Sequence, residues 1–434
     1  MWLLALIINQ GAGDVEWIRL YGSDDYDWAE AVAVDSSGMY MVVGATWMRG
    51  NFDPDVWMLK LDSSSGDTLW TLIYGDSGVF EWPGDVLVDS GGNYLIAVHG
   101  DSGIIAIKVD AAGNVIWSRN IAGGSYVEAI GAGLGDGGEY YIGATYGDSF
   151  KLFALDLLTG DVMWSRNYEA PGYLSLRTFA SRSGICAFGG ALHNADFDLF
   201  LYIVDCNSGD SLFSVVMDVG GQDFVEDVSM DDEGNIVLAG GIGYVDSSRL
   251  FVAKVDENGN PIWLRKYGSG FSWGNGIDVS PMGYCVVAGS SGENGSDYWM
   301  LKVEPSSGDT LWSVIVGDTA YQEAIDVAAD REGGYVMVGE TDERGIRDLG
   351  AVKVMGEIVR QREEPVRMVI SNSGGGWFLQ NIHGYSTEVR IFDIRGRLVK
   401  SFLLSPGEER IFKPPYRGLF FARWKGGGTV LMGY

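Results

Sequence analysis

Seven times along the chain an aromatic residue follows a glycine-bearing turn and opens the same short strand: Trp17, Trp70, Trp117, Trp164, Phe213, Trp263 and Trp312. The steps between them are 53, 47, 47, 49, 50 and 49 residues. A repeat of that length is too long for one turn of a solenoid and fits one four-stranded blade of a β-propeller.

Within a unit, strands alternate with turns. AVAVD (31–35) leads through Ser36-Ser37-Gly38 into MYMVVGAT (39–46), a hairpin by alternation and turn chemistry; VWMLKLD (56–62) then passes through SSSG into TLWTLIYG (68–75). Seven first hairpins start near residues 31, 85, 129, 178, 227, 277 and 324, and seven third strands near 56, 104, 151, 198, 249, 298 and 349. The fourth strand has one copy too many. EWIRLYG (16–22) precedes any complete unit and is free to pair with the last third strand, a closure that leaves no sheet edge unpaired. EIVRQ (357–361) competes for the same place.

The repeated aromatics read as packing, because a flat ring at one position per blade fills the wedge between neighbouring sheets. Tyr-Gly pairs at 21/22, 74/75 and 267/268 read as strand ends where glycine permits the turn. With 64 glycines, ten prolines and 46% hydrophobic residues, the 434-residue chain suits a large β protein with an ample core. No apolar run approaches the roughly 20 residues of a membrane span.

Charge divides the chain. Residues 366–434 hold ten Lys/Arg against four Asp/Glu, which leaves 20 and 55 of the whole-chain 30 and 59 for residues 1–365, a net of −35 against +6. So acidic a surface repels phosphates, which argues against nucleic acid as partner and leaves cations, basic proteins and neutral glycans. The expected organisation is all-β: residues 1–13 a truncated signal peptide, 14–361 a seven-bladed β-propeller, 362–366 a linker, and 367–434 a small immunoglobulin-like β-sandwich. MWLLALII and the small residues before Asp14 suggest the signal, although no Lys or Arg precedes the apolar run.

The centre of the C-terminal segment is VRIFDIRGRLVKSF (389–402), followed by GLFFARWKGGG (418–428). The strand ending in Asp393, the Gly396-Arg397-Leu398-Val399 step, the Gly407 turn and the Gly418-Leu419-Phe420-Phe421 strand resemble the C-terminal sorting domain of proteins exported by the type IX secretion system. That resemblance implies recognition of residues 367–434 by the type IX machinery, passage across the outer membrane, and release or attachment at the cell surface. The family often ends in a strand with a lysine, whereas this chain ends TVLMGY.

The propeller units resemble the bacterial and archaeal seven-bladed repeat family, most clearly at Lys60-Leu61-Asp62, Lys108-Val109-Asp110, Lys254-Val255-Asp256 and Lys302-Val303-Glu304. ALDLLTGDVMW (154–164) and KLDSSSGDTLW (60–70) also look like the tryptophan-docking repeat of pyrroloquinoline quinone enzymes, where the repeat is a packing device.

No catalytic constellation emerges. His99, His193 and His383 show no metal spacing, and no serine elbow is present. Asp-rich turns such as DDEGN (231–235) and DERG (342–345) lack the full calcium-loop ligand series. Simple hairpin register places residue 203 or 204 opposite Cys186 and leaves a bond to Cys206 open; Cys285 reads as buried packing. Aligning the units on the first hairpin places Glu30, Glu128, Glu226 and Glu323 at one position just before the first strand. These carboxylates form a candidate ring at the channel mouth, suited to a divalent cation such as Ca2+, against the plainer expectation of a solvated rim.

The leading functional expectation is a secreted or surface-attached propeller that binds a glycan or protein ligand through its loops, without catalysis. The alternatives are an extracellular enzyme at the channel mouth, either a glycan-active hydrolase or lyase or a quinoprotein relative, and a structural envelope component.

Overall fold

The computed structural model describes residues 13–356 other than 48–52, 77, 125–126, 136, 148, 170, 195, 244–247, 269, 293–296, 318–319 and 331–332, together with 368–372, 377–381, 387–393, 398–405, 409–413, 419–424 and 429–433. The chain forms two compact units, residues 1–358 and 359–434. Among the described residues every element is a β-strand, and no helix is long and apolar enough to cross a membrane.

The first unit is a seven-bladed propeller of four-stranded antiparallel sheets. Blade one is typical, with strands Asp27–Val34, Tyr40–Thr46, Asp55–Leu61 and Thr68–Tyr74. Its second and third strands are buried along their whole length, whereas the fourth has only exposed and partly covered positions. That gradient follows from position: inner strands are sandwiched between neighbouring blades and the outermost faces solvent.

The surplus strand closes the ring. Val15–Tyr21 lies antiparallel to Asp348–Val354, with Ile18 opposite Val352 and Arg19 opposite Ala351, and so completes blade seven. The competitor EIVRQ lies outside the described residues.

The repeated aromatics join each blade to the next. A Cβ built on Gly66 would come within 3.0 Å of the Trp17 ring, and the same contact recurs between Gly113 and Trp70, Gly160 and Trp117, Gly209 and Trp164, Gly259 and Phe213, and Gly308 and Trp263. Each glycine has positive φ, so a side chain there is excluded twice, by backbone strain and by the ring. The indoles of Trp17, Trp70 and Trp263 also donate to Ser63, Ala111 and Pro305 carbonyls of the next blade.

A lysine near the end of the third strand reaches that same carbonyl. Lys60 Nζ donates to Ala111 and Lys353 Nζ to Ser63, at 3.5 and 3.0 Å. Within its own blade the lysine is paired with the aspartate that starts the hairpin turn: Lys60 with Asp35 at 2.9 Å, Lys108 with Asp89 at 2.8 Å and Lys254 with Asp231 at 2.7 Å. Burial alone would raise the Asp35 carboxyl, but bonds from Ser37, Lys60, Met39 and Tyr94 outweigh it and hold the group down to about 2. In blade six Ser280 takes the aspartate's place, and Lys302 lies 3.9 Å from the Tyr284 ring centroid.

The turn at 231–235 is thereby explained without a metal. Asp231 accepts the N–H groups of Glu233 and Asn235, the Asn235 amide and Lys254, which fills its oxygens. Cys186 and Cys206 are disulfide-bonded with Cα atoms 5.3 Å apart. Register places Val204 opposite Cys186, and the chain turns back just beyond, where Cys206 N–H donates to Gly184. Cys285 is a buried free thiol.

The second unit contains a sheet of Met368–Asn372, Trp377–Asn381 and Glu409–Phe412, and another ordered Leu398–Leu404, Thr387–Asp393, Leu419–Trp424, Thr429–Gly433. VRIFD and LVKSF are thus antiparallel neighbours, with Val389, Ile391 and Leu404 buried. Residues 394–397, Gly407 and His383, like the segment 1–12, lie outside the described residues.

Candidate ligand site at the axial mouth

The seven first strands surround an axial cavity of about 970 Å³, lined by Glu30, Trp82, Glu128, Arg177, Glu226 and Asp326 among others. Each of these strands begins several residues before the apolar run that marks it in sequence and carries a β-bulge near its start. In blade one, Ala29 faces Gly44 and Ala31 faces Val43, so Glu30 is the extra residue. The equivalent bulge residues are Gly84, Ile130, Arg177, Glu226, Asn275 and Ile325. A bulge re-aims the side chains on either side of it.

This register changes the expected carboxylate ring. Glu30 and Glu226 occupy the bulge, whereas Glu128 and Glu323 stand two residues earlier, level with Trp28, Trp82, Ser175, Phe224 and Trp273. The four therefore share one mouth but two levels. Alignment on the apolar hairpin missed this because a two-residue slip preserves the alternation, and only the common bulge fixes the register.

The mouth carboxylates are engaged by neighbouring side chains. Glu226 pairs with Arg177 at 3.2 Å and accepts from the Trp273 indole at 3.2 Å. Glu323 accepts from Asn275 at 3.0 Å and from the Tyr321 hydroxyl. Glu340, opposite Glu323 on the second strand of blade seven, pairs with Arg347 at 3.1 Å. Burial, opposed by the Trp82 hydrogen bond and aided by Glu340, pushes the Glu30 carboxyl up to about 8. Glu128 is exposed, and its charge opposes the burial that lowers the His99 pKa. Among the described residues no group of three or more His, Cys, Asp or Glu is placed to hold a metal ion.

Aromatic rings gather on the same mouth. Trp28 lies 5.3 Å from both Trp82 and Trp47, Tyr26 stacks on Trp28 at 5.9 Å, and Phe80 stacks on Trp82 at 6.0 Å. Across the axis, Phe224 lies between Phe197 at 4.8 Å and Trp273 at 6.1 Å, with the Arg177 guanidinium 5.4 Å from its centroid. Tyr26 and Tyr173 remain 44% and 63% exposed, so the rim offers ring surface to a ligand.

Deeper in the channel, one residue beyond the bulge, lie Asp85, Asp227 and Asp326, with Asp278 two positions further along its strand. Each spans a gap between blades. Asp85 accepts from Ala132 N–H, Asp227 from Ile277, Asp278 from Ala329 and Asp326 from Val32, all at 2.8–2.9 Å. The other oxygen of each accepts the N–H of the following residue. Burial raises these carboxyls despite those bonds, to about 7 for Asp85 and Asp227, to about 6 for Asp278 and upward for Asp326.

No protein-family model matches the chain, and no curated protein matches it. The fold is similar to solved propellers. Drosophila plexin A, solved in complex with semaphorin 1b, is 9% identical, covering 80% of this chain and 88% of that one at a TM-score of 0.47. The Dos1 propeller is 11% identical over 80% and 98% with a TM-score of 0.47, and a europium-containing methanol dehydrogenase 10% identical over 79% and 93% with a TM-score of 0.42. Likeness at this level carries nothing about ligand or chemistry.

The aromatic groups and the interblade aspartates were both missed in sequence. The signal for the rings was an aromatic residue within five positions upstream of each first hairpin, and for the aspartates an acidic residue at or within two positions after its start, visible only once the bulge fixes the register.

Proposed function

We propose that this propeller is an exported binding module that captures a glycan at its axial mouth. The observation that carries this reading is the Tyr26–Trp28–Trp82–Phe80 ring system beside Glu30 and above the cavity. Flat apolar faces suit the C–H face of a sugar ring, and the neighbouring carboxyl, amide and guanidinium groups suit its hydroxyls. With Glu226, Glu323 and Glu340 already paired to donors, the mouth favours a neutral polyhydroxylated ligand over a cationic protein. A glycan array probed with the full chain tests this. Glycans retained by the parent should bind about tenfold more weakly to Trp82→Ala, the scale of one lost aromatic contact. A cooperatively folded parent that retains no glycan, or a Trp82→Ala variant that binds undiminished, rejects the reading.

Export through residues 367–434 and placement at the cell surface belong to the same proposal. The Cys186–Cys206 disulfide supports an oxidising compartment, since such bonds persist in secreted and periplasmic proteins. The sorting resemblance falls on paired strands around Asp393 in a unit of its own, and an immunoglobulin-like sandwich is the arrangement we propose for its two sheets. Fused behind a signal peptide and reporter in a host with the type IX apparatus, this segment should send the reporter to the surface or medium. Periplasmic retention of an intact fusion would point instead to a docking role.

Glu30 favours one second reading. A carboxyl held protonated at neutral pH beside Glu340 is in the state a glycosidic general acid needs. Release of reducing ends from a retained glycan, abolished in Glu30→Gln, would establish hydrolysis.

A further inference from the structure

The fourth strand of each blade is a sheet edge, and the chain guards only some of these edges with charge. Two residues after the repeated aromatic stand Arg19, Arg119, Arg166 and Arg265, on blades seven, two, three and five. An added Cβ at Gly66, Gly160, Gly209 or Gly308 would come within 2.6–2.9 Å of the arginine Cγ, so each stem lies across the next blade. Arg19, Arg119 and Arg265 then turn back and donate to the carbonyls of Ile18, Ser118 and Leu264, at 3.1, 2.9 and 3.2 Å. A guanidinium thus occupies a carbonyl of its own edge strand and leaves a charge there.

Blades one, four and six have Leu72, Val215 and Val314 in the arginine's place. Their outer strands, TLWTLIY, SLFSVVM and TLWSVIV, carry no charge at all. On blade six, exposed and half-buried positions alternate from Leu311 to Val316, and Leu311 and Ile315 are 41% and 55% exposed on either side of Ser313. This edge is complementary to itself. An antiparallel copy paired about Ser313 sets Leu311 against Ile315, Trp312 against Val314 and Asp309 against Gly317, so apolar side chains meet and no like charges do. The other two bare edges fit themselves less well. Pairing about Ser214 on blade four brings Asp210 against Asp218, and pairing about Thr71 on blade one sets Leu69 against Ile73, which is already half covered.

We propose that the chain self-associates through blade six, Thr310–Val316 lying antiparallel to the same strand of a second copy about a two-fold axis at Ser313. A second copy is the occupant because a two-fold contact requires one surface to match itself, which this edge does. A ladder of seven residues covers less than the roughly 1,200–2,000 Å² of stable complexes. Each chain also carries a net charge of −29, so the dimer is weak and tightens as salt screens the repulsion.

Sedimentation equilibrium of the full chain tests this. The weight-average mass should climb from one chain towards two between micromolar and millimolar protein, and climb further in high salt. Val314→Arg, which supplies the guard found on the other blades, should remain monomeric over the same range. Ser313→Cys should give a disulfide-linked dimer on oxidation, because residues facing each other in an antiparallel ladder have Cα atoms about 4.5–5.5 Å apart, within disulfide reach. A parent that is monomeric at every concentration overturns the proposal. So does a dimer that persists in Val314→Arg, or a linked dimer no more abundant in Ser313→Cys than in Ser214→Cys, either of which places the contact elsewhere. Association that weakens with added salt would be ionic and rejects it too.

Discussion

The Asp326 carboxylate accepts the backbone N–H of Val32 at 2.8 Å, tying the last blade of the ring to the first across 294 residues of sequence. Its other oxygen accepts Val327 N–H, so both oxygens serve as acceptors. Asn in this place keeps one acceptor and turns a donor towards a donor. Asp326→Asn should destabilise the protein by about 1–3 kcal/mol, the cost of a buried polar group left unsatisfied. Denaturant unfolding checks this, and an unchanged midpoint would show that the seam relaxes freely.

The raised carboxyls set a pH dependence. Asp85 and Asp227 at about 7, Asp278 at about 6 and Glu30 at about 8 all bind protons more tightly folded than unfolded. Their contribution is present below the ordinary carboxylate range and is lost as pH rises through these values. Asp35, held to about 2, works oppositely, and its contribution disappears only as pH falls through that value. Thermal melts across pH should therefore peak in mild acid, near about pH 4–5, and decline towards pH 8. A maximum at pH 8 would mean that the channel carboxylates are paired more strongly than these groups allow.

Removal of residues 1–24 takes away Val15–Tyr21 and bares the edge of Asp348–Val354. It also removes Trp17 from Gly66 and its indole bond to Ser63. The loss should exceed about 4 kcal/mol, beyond the range of ordinary point substitutions. A truncated chain that melts with the parent would assign closure to EIVRQ.

The disulfide closes a loop with a sequence separation of 20. Loop-closure entropy assigns about 3 kcal/mol to a constraint of that length. Cys206→Ser should lower the unfolding midpoint accordingly, and reductant should do the same to the parent while leaving the variant unmoved.

Blade number and strand order were legible because each rests on counting: seven aromatics, seven hairpins, and one fourth strand too many; between EWIRLYG and EIVRQ as the closing strand, counting left the choice open. The mouth was less legible. Glu30 and Glu323 look equivalent when units are aligned on their apolar runs, yet relative to the common bulge Glu323 stands two residues earlier, a slip that leaves the period-two alternation unchanged. A bulge leaves no composition of its own. Gly75 was read as a strand-end turn residue, which its positive φ bears out; that Asp55 and Glu81 also exclude a side chain there resides 20 residues upstream and six downstream. Cys206 lay beyond the hairpin register, which left its bond to Cys186 open, where the chain folds back on Gly184.

The pairing of Val15–Tyr21 with Asp348–Val354 also sets a timetable. A ribosome adding roughly 5–20 residues each second needs tens of seconds to go from one strand to the other. Throughout that interval the first strand to emerge has no partner, and the blades made after it stand as an open arc with two raw edges. The ring locks only when nearly all of its residues exist, with the C-terminal unit the next to be synthesised. Under the export route proposed above this order is protective: a nascent arc is still threadable, and the interlocked circle is not.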